Sequence, residues 1–321
     1  MGGASLRLIV DGCPSLRGRT MGEKRASAEQ LAGTMRRTIV LEPRGHIDLL
    51  GAVLTEPTQP GSDAGVLFMD ADGFVAMSGH GVIAVATLAL ERQLLVPRDP
   101  SRMVLDTPAG TVRVTASRSE RGGVGAVTFT NVPSFVVQPG VDVPLRGRRL
   151  RADVAFGGEF YAIVDAESAG VAIDATRTGD LRRTGMAIAA AIDAVLAVVH
   201  PSVPELSVLA GTVFTAPPQE PGADLRCATV RVSGAVDRSA GGTGLSAIMA
   251  VLDAMGLLSE EGGFEPEGLL GQRLRGRLRS RMRVGAFDAI VPEITGTAYV
   301  TGEHVFVVDG ADPLASGVRV S

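Results

Sequence analysis

Apolar and polar residues alternate along most of the chain in short runs closed by glycine, proline or aspartate, the pattern of strands with one buried face. Such runs predict strands at residues 6–10, 38–42, 65–69, 103–107, 111–116 and 126–130. The second half repeats the style at 154–156, 160–164, 228–232, 297–301 and 304–309. Three segments carry apolar residues at helical spacing instead, and predict helices over 81–94, 180–199 and 244–258. No strict short-period repeat is present, which argues against a solenoid. The Pro/Arg-rich stretch 143–151 is the best candidate for a domain boundary.

The two halves echo one another weakly. Ser78-Gly79-His80-Gly81 runs directly into VIAVATLALERQ, and Gly241-Gly242-Thr243-Gly244 runs directly into LSAIMAVLDAMG. A helix start carries N–H groups without intrahelical partners and the positive end of the peptide dipole. Glycine lets a ligand approach that backbone, so each turn reads either as a receptor for a carboxylate or phosphate or as a tight connection and nothing more. Two facing turns would hold one small carboxylate, with the first residue of each turn reaching one side of the adjacent carbon. Neither turn is a dinucleotide fingerprint, because no GxGxxG follows a strand with an acidic residue about 20 positions on. His80 inside the first turn is a candidate functional imidazole or a structural hydrogen bonder. Asp237, shortly before the second turn, is a candidate helix cap. Arg44 reads as an ion-pair partner, His46 as a strand-end residue, and His200 and His304 as structural or exposed.

Composition narrows the function classes. The 321 residues suffice for two cores of ordinary size. A hydrophobic share of 45% against 21% charged describes a folded chain. The net charge of -4 and the lack of a basic stripe with interleaved aromatics argue against a nucleic-acid partner. The most apolar stretch, 186–199, contains Asp193 and falls short of the roughly 20 apolar residues of a spanning helix. The first residues lack a signal-like apolar run, so a cytoplasmic location without membrane partners is expected. Two cysteines, Cys13 and Cys227, make no disulfide framework, and no Cys/His cluster has zinc spacing. Both read as free structural thiols.

At the same glycine turns the chain resembles the proline racemase family, which includes 4-hydroxyproline 2-epimerases and trans-3-hydroxy-L-proline dehydratases. LEPRGHIDLLGAVLT (41–55) is similar to that family's EPRGH segment, and GVLFMDADGFVAMSGHGVIAVAT (65–87) to its MCGHG segment. AFGGEFYAIVDA (155–166) matches FGG-FYA, VDRSAGGTGLSA (236–247) resembles DRSPCGTGTSA, and VPEITGTAYVTG (291–302) resembles the closing PE-TG-A-TG stretch. The resemblance implies an α/β (α+β) fold of two similar domains, as in diaminopimelate epimerase. Each is a barrel-like, mainly antiparallel sheet around a central helix, with the active site in the cleft between them. Residues 1–147 and 303–321 are then the first domain, carrying the Ser78 turn, and 148–302 the second, carrying the Gly241 turn. It also implies a homodimer, an imino acid substrate (proline or a hydroxyproline), and chemistry without pyridoxal phosphate, other cofactors or metal.

Position by position, the family's two catalytic cysteines fall on Ser78 and Gly241. The carboxylate-holding residues Gly79, His80, Gly81, Gly242, Thr243 and Gly244 are intact, and Asp237 matches the aspartate near the substrate's ring nitrogen. Arg231 lies where the family often has an aromatic pocket wall. The HTGGEP segment is represented only by Gly2 and Gly3, with Ala4 where a glutamate is expected. Inversion by two opposed groups needs a donor and an acceptor, and Gly241 has no side chain to offer. Loss of water from 3-hydroxyproline needs one base at the α-carbon and an acid for the hydroxyl. The first expectation is therefore a trans-3-hydroxy-L-proline dehydratase with Ser78 as base. Serine requires activation, and His80 is the obvious helper. The other expectations are a proline racemase or 4-hydroxyproline 2-epimerase with an unrecognised second acid, and a non-catalytic imino-acid-binding homologue.

Overall fold

The computed structural model describes all residues except 1, 121, 146 and 321. The first half contains β1 (Leu6–Ile9), α1 (Met21–Leu31), α2 (Gly33–Val40), β2 (Leu50–Thr55), β3 (Ala64–Met69) and β4 (Phe74–Val75). It continues through α3 (Gly79–Glu91), β5 (Met103–Thr107), β6 (Gly110–Arg118) and β7 (Val124–Thr130). The second half contains β8 (Ser134–Leu145), β9 (Arg148–Phe156), β10 (Phe160–Asp165), α4 (Thr178–Val195), β11 (Leu209–Ala216) and β12 (Leu225–Arg231). It closes with α5 (Gly242–Ala254), β13 (Pro266–Glu267), β14 (Arg275–Val284) and β15 (Phe287–Gly296).

The strands form one ladder in the order β1-β2-β3-β5-β6-β7-β15-β8-β9-β10-β11-β12-β13, with β4 on β3 and β14 on β15. Most pairs are antiparallel; β1/β2, β3/β5, β10/β11 and β12/β13 are parallel. β15 joins the halves. Its residues 293–296 pair with β7, while Ala289 and Ile290 pair with Phe135 and Ser134 of β8.

Two helices sit where the sheet closes round them. In α3 every residue from Gly79 to Thr87 is buried, and in α5 every residue from Gly242 to Val251. A helix apolar on all sides is stable only inside a core, which is why these two segments fill the two halves. α3 packs on β1, β2, β6, β7 and β15, and α5 on β8, β9, β10, β14 and β15. α4 instead buries a single stripe (Leu181, Thr184, Gly185, Ile188, Ala189 and Ile192) and covers β11 from outside. His200 proves structural: its ring lies edge-on to Phe156 at 4.7 Å, and its Nδ1 accepts the Ser202 and Val203 N–H groups.

Three strand expectations are corrected. Residues 38–42 do not form a strand; α2 runs through to Val40. Arg36 and Val40, four apart and both buried, share one helical face, and Arg36 Nη1 donates to the carbonyls of Asp70 and Ala71 at 2.7 and 2.8 Å. Residues 297–301 and 304–309 follow β15 without entering the ladder. The first buries only Ala298, and in the second Val305 is 93% and Val307 79% exposed. Of the stretch 143–151, the residues up to Leu145 belong to β8 and those from Arg148 to β9, with Val143 paired to Leu150 and Leu145 to Arg148, while residue 146 lies outside the described residues. No helix among the described residues is long and apolar enough to cross a membrane.

Candidate active site

The two glycine turns meet head to head. Ser78 is the N-cap of α3, extended at φ -141° and ψ 109°, and its Oγ accepts the Gly81 N–H at 3.2 Å. Gly241 is the N-cap of α5 at φ +68° and ψ 132°, a left-handed backbone region suited to glycine. Between them the chains touch through Gly79 and Gly242. A Cβ on Gly79 would stand 2.4 Å from the Gly242 Cα, and a Cβ on Gly242 would stand 2.5 Å from the Gly79 Cα. Only glycine allows this approach. It sets two positive helix ends against one another, an arrangement that an anion between them relieves.

A buried charged network backs the turns. Arg231, at the end of β12, grips Glu159 with both nitrogens of its fork, Nη1 to Oε2 at 2.8 Å and Nη2 to Oε1 at 3.0 Å. Its Nε lies 3.0 Å from Asp70 Oδ2, so the guanidinium also bridges from the second half to the first. Tyr161 Oη donates to Glu159 Oε2 at 2.8 Å and shares a 2.8 Å hydrogen bond with Thr243 Oγ1 in the first turn of α5. Arg231, at the position where the family often has an aromatic pocket wall, is here the centre of an ionic network.

Three polar groups around the turns have no partner among the described residues: His80 Nε2, Thr229 Oγ1 and the Asp237 carboxylate. Burial, reinforced by the Arg231 cation, lowers the His80 pKa to about 4, so the imidazole is neutral at neutral pH. Desolvation raises Asp237 to about 7 against the pull of Arg231, helped by the carboxylates of Glu159, Asp48 and Asp70. The Asp237 carboxyl stands at the second turn: a Cβ on Gly241 would lie 3.3 Å from Asp237 Oδ2 and 3.5 Å from Thr229 Oγ1. Asp48 anchors the segment before it, accepting the Val236 N–H at 3.0 Å.

The structure therefore brings together Ser78, Gly79, His80, Gly81, Asp237, Gly241, Gly242, Thr243 and Gly244, and revises two local roles. No hydrogen bond joins His80 to Ser78 among the described residues, so the expected helper does not engage the hydroxyl, which caps α3 instead. Asp237 does not cap α5; Ser239 Oγ accepts the Gly241 N–H at 3.2 Å. Both cysteines remain outside the chemistry. Cys227 is fully buried with its thiol donating to the Ala240 carbonyl, and burial pushes it up to about 12. Cys13 lies on a loop beside Pro14. Arg44 pairs with Asp312 at 2.9 Å, as a structural residue would. Asp70, Glu159, Tyr161 and Thr229 were not foreseen; a charge set among apolar strand residues, as Glu159 is in AFGGEFYAI, was the available signal.

Comparison with known proteins gives a consistent set. The proline racemase family model matches residues 1–319. A proline racemase of Clostridioides difficile is 36% identical over 317 residues, covering 98% of this chain and 94% of the relative. A trans-3-hydroxy-L-proline dehydratase of Bacillus cereus is 37% identical over 316 residues, with the same coverage of 98% and 94%. The crystal structure of a hydroxyproline epimerase from Agrobacterium vitis, with bound trans-4-hydroxy-L-proline, superposes with a TM-score of 0.92 at 30% identity, covering 99% of this chain and 92% of that one. The mixed α/β architecture is thus shared with the epimerase, and the sequence relatives carry differently named activities.

Proposed function

The chain belongs to the proline racemase family, and on that footing we propose that it removes the α-proton of a proline-type imino acid and eliminates water when the ring bears a 3-hydroxyl. The observation that carries this reading is the contact of Gly79 with Gly242, which sets two helix starts against one another, an arrangement suited to one carboxylate. Negative charge developing on that carboxylate as the α-carbon loses its proton is stabilised by the same two helix ends. The α-carbon then lies beside the first residues of the two turns. Ser78 offers a hydroxyl there, at the positive end of α3 and accepting the Gly81 N–H, both of which favour a negative oxygen. Gly241 offers none, so elimination is favoured over inversion. Asp237 lies beside the second turn, with an oxygen 3.3 Å from where a Gly241 side chain would begin.

A second reading, epimerisation of proline or 4-hydroxyproline, draws support from the Asp237 oxygen near the absent Gly241 side chain. The two are separated by incubating the protein with trans-3-hydroxy-L-proline and with 4-hydroxyproline. Formation of pyrroline-2-carboxylate, trapped or reduced as it forms, is the expected result. Inversion of 4-hydroxyproline without that product would favour the epimerase. Thermal stabilisation by these ligands with neither reaction would leave a binding protein.

A further inference from the structure

We propose that Asp237 is the principal proton-transfer residue of this site, acting at the α-carbon from the side on which Gly241 has no side chain. The assignment rests on the reading that the cleft deprotonates an imino acid, and it moves the proton from the Ser78 hydroxyl to a carboxylate.

Position is the first ground. An oxygen of Asp237 comes within 3.3 Å of where a Gly241 Cβ would stand, so the carboxyl borders the space that a side chain of the second turn would enter. Availability is the second. Asp237 is partly exposed, and no hydrogen bond or ion pair holds its carboxylate among the described residues. The nearby cation is committed elsewhere, Arg231 being bound to Glu159 and Asp70. Exclusion of the neighbours is the third. The Cys227 thiol is sealed in the core, the Tyr161 hydroxyl is engaged by Glu159 and Thr243, and among the described residues no base hydrogen-bonds to Ser78.

The charged groups around Asp237 give it suitable chemistry. Glu159 between β9 and β10, Asp70 after β3 and Asp48 before β2 face it with negative charge, and Arg231 of β12 with positive. Its neighbour Arg238 leans towards Asp48 at 3.5 Å. With its pKa raised to about 7, chiefly by desolvation, both forms coexist near neutrality, the condition in which an acid–base group works best.

The step balances without a co-reactant. The carboxylate oxygen takes the α-proton, and the C–H electron pair passes into the substrate. With a 3-hydroxyl, that pair forms the bond between Cα and C3 as the C3–O bond breaks. The proton on Asp237 passes to the departing oxygen, giving water and restoring the carboxylate; the enamine then tautomerises to pyrroline-2-carboxylate. Without a leaving group the proton returns to the same side. The Ser78 hydroxyl opposite is a far weaker acid, so inversion is slow.

The test compares wild type with Asp237→Asn, Asp237→Glu and Ser78→Ala in heavy water. Product is followed from trans-3-hydroxy-L-proline and α-hydrogen exchange from L-proline, with melting curves to establish folding. Asp237→Asn is expected to lose both rates by about 100-fold or more, and Ser78→Ala less than about tenfold. Because the base must be deprotonated, kcat/KM in wild type rises as pH increases through about 7. That limb persists in Ser78→Ala and shifts in Asp237→Glu. Loss of both rates in Ser78→Ala, with Asp237→Asn within about threefold of wild type, overturns the assignment and leaves the proposed function standing. If Asp237→Asn does not fold, an unshifted limb in Asp237→Glu overturns it. A folded wild type showing neither product nor exchange removes assignment and function together.

Discussion

Replacing Arg231 by methionine is expected to lower the unfolding free energy by about 3–5 kcal/mol, the scale for removing one partner from a buried ionic group. The guanidinium is held between Glu159 and Asp70, and without it those two carboxylates remain in the interior with no cation between them. Tyr161 still donates to Glu159, but one neutral hydroxyl does not replace a bidentate charged fork. Denaturant unfolding of wild type and Arg231→Met measures the loss directly. Adding Glu159→Gln to Arg231→Met should recover part of it, because the double change removes a stranded charge. The electrostatic signs are also fixed. Arg231 lowers both Asp237 and His80, so its removal moves both pKa values upward, readable for His80 in the imidazole resonances. A stability change below about 1 kcal/mol would show that the network is not load-sharing in the way its geometry implies.

Gly242→Ala is expected to damage the site most through geometry. The added carbon would stand 2.5 Å from the Gly79 Cα, a backbone atom with no freedom to turn aside. Overpacking costs about 1–3 kcal/mol when the surroundings yield. They can yield only by drawing the helix starts apart, and a displacement on the order of 1 Å in a positioned site costs about 100-fold in rate. Gly241→Ala separates this effect from backbone strain. Its Cβ has 3.3 Å of room to Asp237 Oδ2, yet φ is +68°, so it should cost about 1–2 kcal/mol through conformation while leaving the Gly79–Gly242 contact in place. Carboxylate affinity measured by titration calorimetry should fall steeply in Gly242→Ala and modestly in Gly241→Ala. Equal affinities in the two variants would mean that the close approach does not form the carboxylate site. The same φ explains why restoring a cysteine at 241 is not a simple exchange: the backbone there is set for glycine.

How much of this was legible depended on whether a local pattern coincided with a tertiary role. α3 and α5 were readable because glycine starts and all-round apolarity belong to the segments themselves. The short apolar runs of β3, β5 and β10, buried along nearly their whole lengths, were equally plain. α1 was not, since only Met21, Lys24 and Ala28 of its eleven residues are buried, and with a lysine among them their shared face shows no apolar stripe. β14 was hidden by arginine at every second position from Arg275 to Arg283, most of its residues facing solvent while backbone pairing to β15 holds it. The closing 304–309 segment had the opposite fault, an alternation with no sheet to meet. In the site, the turn residues lie in two contiguous motifs and could be found together. Asp70, Glu159 and Arg231 come from the position directly after β3, the β9–β10 turn and β12, and no spacing along the chain announces that they meet.

The measurement bearing most directly on the function is proton NMR of the wild-type protein in heavy water with proline, 4-hydroxyproline and 3-hydroxyproline stereoisomers. Enzyme-dependent loss of the α-proton signal is expected, with pyrroline-2-carboxylate appearing from the 3-hydroxy isomer and no opposite epimer forming at a comparable rate. An α-proton that persists in every substrate, with folded protein at high concentration, would contradict it.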